Sequence, residues 1–215
     1  MALRQSNLIS SYRLHFKDKE FILACIFSIA LLAIAMIADF LSGMYAATSA
    51  SNPVTDLVLD HLPVFDVDTI LVYGPVVLWL FVWVLMVMKP RRLPFTFKSV
   101  GLFLLVRSVF VILTHLAPSP DHIVITSSNL ISDFSQGGDL FFSGHTGLPF
   151  LLALIFWDNV RLRTLFILTS LFFGAIVLMA HVHYSIDVLG AFFITYAICH
   201  LAQGIFKKDR KMFNM

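Results

Sequence analysis

The sequence predicts an all-α membrane protein with six transmembrane helices and both termini in the cytoplasm. Three observations carry this. Of 215 residues, 59% are hydrophobic and only 13% charged, with a mean hydropathy of +0.87, far from the composition of a water-soluble domain. Six apolar stretches approach the roughly 20 residues that a helix needs to cross a hydrocarbon core of about 30 Å. If those stretches alternate in direction, fourteen of the fifteen Lys and Arg residues fall on one side.

The spans are predicted near residues 21–43, 69–88, 98–116, 142–157, 164–181 and 185–206. The first has too long an apolar run, after too long a polar lead, for a signal peptide and reads as an anchor. The third carries Arg107 at its centre, where an arginine costs about 2.5–3.5 kcal/mol on insertion scales and faces a cavity or a partner. The fourth is short and begins with Ser143, Gly144, His145 and Thr146, so its outer end must be wet or buried in protein. The basic side collects Arg4, Arg13, Lys17, Lys19, Lys89, Arg91, Arg92, Lys98, Arg161, Arg163, Lys207, Lys208, Arg210 and Lys211. The positive-inside rule makes that side cytoplasmic. Residues 1–20 are then a cytoplasmic lead, 21–206 a six-span catalytic bundle and 207–215 a basic cytoplasmic tail. No repeat, low-complexity tract or second domain interrupts the bundle. The opposite loops, 44–68 and 117–141, carry acids and turn formers, among them Asp56, Asp139, Pro53 and Pro118.

Charge and cysteine usage exclude several classes. A formal net charge of +2 is too small to argue for nucleic acid. Cys25 and Cys199 both lie in apolar stretches and suggest neither a disulfide framework nor a zinc site. No cofactor is implied. Nothing in the sequence speaks against a homo-oligomer.

The chemistry-bearing residues gather at the outer face. GGDLFFSGHT (137–146) opens span four and HVHYSID (181–187) opens span six. His183 and Asp187 are four residues apart, on one helical face if the helix begins near His183. A carboxylate bonded to one imidazole nitrogen fixes the tautomer and leaves the other to attack phosphorus or take a proton. His145 would face that pair and serve as acid and base. The bland readings are a capped helix end for His183 and Asp187, and a plain helix entry for SGHT. Arg107 either holds phosphate or forms a structural ion pair, with Asp39 as the nearest candidate. His115 follows Arg107 by eight residues and is expected on the same face. His61, His122, His15 and His200 read as bystanders. A zinc site with His145, His183 and Asp187 as ligands is a further alternative. So is a lipid-binding or lipid-moving protein without turnover.

These residues resemble a known family. GGDLFFSGHT is similar to the C-G-D-x-x-F-S-G-H-T block of sphingomyelin synthases, and AHVHYSIDV (180–188) to their A-H-x-H-Y-T-x-D-V block. RSVFVILTHLAP (107–118) and NPVTDLVLDHLP (52–63) resemble their third span and Pro-rich first outer loop. The resemblance implies a six-span fold of the type 2 phosphatidic acid phosphatase superfamily with its site on the exoplasmic or lumenal face. It implies His183 as nucleophile, Asp187 as its orienting group and His145 as acid and base. Arg107, Asp139, Ser143 and His115 are the expected substrate-binding set. The implied reaction moves phosphocholine or phosphoethanolamine from phosphatidylcholine or phosphatidylethanolamine onto ceramide, releasing diacylglycerol, with no metal. Gly137 replaces the usual Cys of the first block, and Val177 stands where the phosphatase branch has an arginine. The short chain suggests a bacterial inner-membrane homologue. Another lipid alcohol, or water as in a lipid phosphate phosphatase or phospholipase C, could then replace ceramide.

Overall fold

The structure, a computed structural model, describes residues 18–123 and 140–215. Among these, every regular element is helical: α1 (Lys19–Ser49), α2 (Asp68–Met88), α3 (Leu93–Leu113), α4 (Gly144–Ile155), α5 (Val160–Met179), α6 (Ser185–Ile205) and α7 (Lys207–Phe213), with short 3₁₀ turns at Leu59–His61 and Pro90–Arg92. Among the described residues, five helices are long and apolar enough to cross a membrane; α4, with 12 residues, is shorter. The expectation of a helical membrane bundle holds. α1 to α6 fall where the apolar runs place them, though five of these six reach spanning length.

Local chemistry sets the boundaries. The Asp18 carboxylate accepts the Glu20 N–H and starts α1, an N-cap that satisfies one of the four orphan donors at a helix start. Pro94 falls in the first turn of α3, where its missing N–H costs nothing, so this helix begins five residues before the predicted 98. Ser143 caps α4 by accepting the Thr146 N–H at 3.4 Å.

The core is built on α3, which is buried along much of its length and packs against α1 on one side and against α4 and α6 on the other. Gly147 lets α4 approach closely, since a Cβ there would lie 2.7 Å from the Phe103 ring and 2.9 Å from Thr195 Oγ1. The two ends of the bundle differ. At one end, Lys98 and Asp209 form a buried ion pair at 2.8 Å, Arg210 donates to the Ile155 carbonyl at 2.9 Å, and Arg92 stacks over Phe156 and Phe213. Residues 207–213, expected only as a basic tail, thus fold as α7 against the bundle. At the other end, backbone bonds tie the loops together: Ser51 to His115 (2.8 Å), Phe65 to Met179 (2.9 Å) and Ser143 to Asp187 (3.2 Å). The chemistry-bearing residues lie at this second end.

Candidate active site

Each candidate histidine stands at a helix boundary, where backbone polar groups lack helical partners. α6 starts with two carboxylates on its first N–H groups, at the positive end of the helix dipole. Asp187 Oδ2 accepts from the Tyr184 N–H at 2.9 Å. Asp56 Oδ2, from the loop before α2, accepts from the Ser185 N–H at 2.7 Å and its hydroxyl at 2.8 Å. The other Asp56 oxygen accepts from Val58 and Leu59 N–H at 2.8 and 3.1 Å. Burial pushes the Asp56 carboxyl up, but the bonds from Ser185, Leu59 and Val58 outweigh it and hold it below its ordinary 3.8.

His183 Nδ1 lies 2.9 Å from the Leu140 carbonyl and 3.4 Å from Asp187 Oδ2. A carbonyl can only accept, so Nδ1 carries the proton and Nε2 the lone pair. Nε2 makes no hydrogen bond among the described residues. His183 is buried and Asp187 completely so, with Asp187 Oδ1 lacking a partner among the described residues. The structure therefore brings His183 and Asp187 together. It also adds the Leu140 carbonyl as the nearer partner of His183, and gives Asp187 Oδ2 a second task as helix cap.

His145, two residues into α4, is positioned by a proline. Pro75 lies inside α2 and has no N–H, so the Leu71 carbonyl four residues earlier loses its helical donor. His145 Nε2 fills that vacancy at 3.3 Å. The same reasoning as for His183 puts a proton on His145 Nε2. His145 is half-buried against Phe173 and lines a small cavity of about 150 Å³ together with Asp39, Arg107 and Gly144.

Arg107 is 3% exposed. Its Nε donates to the Phe142 carbonyl at 2.9 Å and its Nη1 to both Asp39 oxygens at 3.0 and 3.3 Å. The pairing with Asp39 weighed from the sequence is therefore present, and the same guanidinium borders the cavity. The irregular backbone at 140–143 ties these groups into one neighbourhood: Leu140 to His183, Phe142 to Arg107, Ser143 to Asp187.

The other expected binding residues fare differently. The Ser143 hydroxyl is fully buried and engaged as the α4 cap. His115 lies beyond the end of α3, exposed and edge-on to Tyr45 at 5.8 Å, and does not line the Arg107 cavity. The helix ends at Leu113, so the eight-residue spacing no longer keeps His115 on the Arg107 face. Asp139 lies outside the described residues. Three groups have no role assigned to them from the sequence alone. Tyr184 donates to the Ala117 carbonyl at 2.9 Å and accepts from Val54 N–H at 3.3 Å. His181, at φ 56°, donates from Nε2 to the Leu62 carbonyl at 3.0 Å. Pro75 is the third, and a proline inside an apolar span was its signal.

Residues 136–204 match the PAP2 superfamily C-terminal family. The PAP2 match covers about a third of the chain, takes in His145, His183 and Asp187, and supports the type 2 phosphatidic acid phosphatase superfamily. It is consistent with a lipid phosphatase or phosphotransferase. No curated protein matches the chain, and no solved structure does.

Within the matched segment, Val177 is fully buried in an apolar cluster with Leu71, Ile176 and Ala180. No group of three or more His, Cys, Asp or Glu side chains converges as a metal site among the described residues.

Proposed function

We propose that the chain is a lipid phosphotransferase that moves phosphocholine or phosphoethanolamine from a glycerophospholipid to ceramide or another lipid alcohol, releasing diacylglycerol. The observation that carries this reading is His183, protonated on Nδ1 by its bond to the Leu140 carbonyl at 2.9 Å and backed by the buried Asp187. That arrangement leaves the Nε2 lone pair as the nucleophile. Nε2 attacks phosphorus, an N–P bond forms, and the P–O bond to diacylglycerol breaks. His145 supplies the proton to the departing oxygen. In the second half, His145 takes the proton of the acceptor hydroxyl, which attacks phosphorus and returns the electron pair to Nε2. Arg107 and the first N–H groups of α4 hold the non-bridging oxygens. Ser143 serves by capping α4; Asp139 and His115 are assigned to the headgroup and outer rim.

The basic residues Lys89, Arg91, Arg92, Arg161, Arg163, Lys207 and Lys208 stand at helix ends opposite this site, which supports a cytoplasmic orientation for that end. The site then faces the exoplasm or lumen, with a bacterial inner membrane as the host we favour. The test is to incubate purified protein with phosphatidylcholine and phosphatidylethanolamine, with and without ceramide, and weigh every product. Ceramide phosphocholine or phosphoethanolamine that disappears in His183→Ala supports a synthase. Free phosphocholine or phosphoethanolamine alone moves the assignment to a hydrolase, and no turnover of either lipid sinks the proposal.

A further inference from the structure

α6 packs on α3 and α4 and buries one face, with Ala191, Thr195, Ile198 and Ala202 on it. The opposite face, Ile186, Leu189, Phe193, Tyr196, His200 and Gly204, is exposed. Most of it is the apolar surface that a spanning helix turns to lipid. Tyr196 and His200 are not. They stand one turn apart with their ring centroids 4.3 Å from each other. His200 Nδ1 lies 3.0 Å from the Tyr196 carbonyl, which can only accept, so Nδ1 carries the proton and Nε2 the lone pair. Neither that Nε2 nor the Tyr196 hydroxyl has a hydrogen-bond partner among the described residues.

Depth sets this pair apart. Tyr196 lies nine residues before the end of α6 at Ile205, about 13 Å along the axis and close to the middle of a hydrocarbon core of about 30 Å. The other exposed Tyr and Trp side chains of the spanning helices, Tyr45, Tyr73 and Trp83, stand within five residues of a helix end, where headgroups and water reach them. A hydroxyl and an imidazole nitrogen facing hydrocarbon have no such partners, and ionisable residues within spans as a rule face inward. Gly204 follows His200 by one turn, and a Cβ added there would meet nothing within 4 Å. No contact within the chain therefore calls for a glycine at 204. Small residues beside polar ones are what allow two spanning helices to approach and hydrogen-bond.

We infer that this face of α6 is a homodimer interface, in which the Tyr196 hydroxyl of each copy donates to His200 Nε2 of the other. The second copy is the occupant because the patch is complementary to itself: one donor and one acceptor, side by side on one helix. Two copies inserted in the same direction and related by a two-fold axis along the membrane normal bring the same depth of α6 together. Both donors and both acceptors are then satisfied. A lipid tail offers neither group. Tyr196 and His200 lie toward the end of α6 remote from His183 and Asp187, so the interface does not depend on the reaction assigned to that site.

The test is to count subunits of the fluorescently labelled full chain by photobleaching in liposomes, over a range of protein-to-lipid ratios. The wild type should be dimeric. Tyr196→Phe and His200→Leu should each raise the dissociation constant about tenfold or more, since either change removes both reciprocal bonds. Gly204→Leu should weaken the dimer through bulk alone, with an unchanged circular dichroism spectrum, because its side chain enters space that is open in the single chain. With Cys25 and Cys199 replaced by alanine, oxidation should cross-link Ala197→Cys, on the exposed face of α6. It should not cross-link Leu168→Cys, 59% exposed on α5. A monomer at every ratio would overturn the inference. So would a dimer that all three substitutions leave intact, or one that cross-links only through Leu168→Cys.

Discussion

Asp187→Asn separates the two jobs that the Asp187 carboxylate holds. In a triad whose carboxylate alone fixes the tautomer, this change costs about 10⁴-fold in kcat because the imidazole flips. Here the Leu140 carbonyl at 2.9 Å is the nearer acceptor for His183 Nδ1, so the tautomer should survive. What is lost is the electrostatic support for positive charge on the imidazole, across 3.4 Å. At that separation two unit charges interact by about 5 kcal/mol at an effective dielectric of 20, which at about 1.4 kcal/mol per decade allows at most roughly 3 × 10³-fold. Asp187 Oδ2 shares its charge with the Tyr184 N–H, so the expected loss is roughly 10²-fold to 10³-fold in kcat. The amide oxygen can still cap α6, and the melting temperature should hardly move. The assay is single-turnover headgroup release with ¹⁵N-histidine NMR of the same sample. Wild-type kcat in Asp187→Asn would reduce the carboxylate to a cap. A loss of 10⁴-fold with His183 in the other tautomer would show that Leu140 does not hold the ring.

Other consequences can be checked on the same preparation. Because the folded Asp56 carboxyl titrates below its ordinary 3.8, its stabilisation is fully present above that value and lost as pH falls through the lower folded value. Asp56→Asn should therefore lower the melting temperature at pH 7 and flatten its decline at acid pH; an unchanged acid limb would refute this. Asp209→Asn or Lys98→Met alone should cost about 3–5 kcal/mol by stranding one buried charge, whereas removing both should recover most of it, read as a double-mutant cycle in thermal unfolding. Equal losses in single and double variants would count against the pair. Arg107→Met with Asp39→Leu removes the second ion pair as a unit, so the fold should persist while lipid turnover falls at least about 100-fold, for want of an anion partner. Wild-type turnover in that double variant would make the pair purely structural. Pro75→Ala should restore an N–H to the Leu71 carbonyl and displace His145, lowering kcat with little change in stability.

The helical bundle was legible because apolar run length is a coarse quantity that tertiary context cannot disguise. Its boundaries were less so. α1 runs on to Ser49 and α3 starts at Leu93, because Gly43, Ser42 and Pro94 are tolerated where helices pack or begin. The basic tail hid a helix, since Lys98 inside the third span has a partner only if Asp209 folds back to it. At the site, the spacing of His183 and Asp187 and the oddity of Arg107 were readable from side chains alone. The Leu140 and Leu71 carbonyls were not, because any residue carries the same backbone group and only the fold aims it. His115 shows the converse failure: helical spacing from Arg107 means nothing once the helix has ended.

The most direct test of a phosphoryl-histidine path is to quench the enzyme under alkaline conditions during turnover of phosphatidylcholine and map covalent phosphorus by mass spectrometry. The account predicts an acid-labile phosphocholine adduct on His183, formed at the rate of diacylglycerol release and absent in His183→Ala. Diacylglycerol released at that rate with no adduct on His183, or with one on another residue, would contradict it.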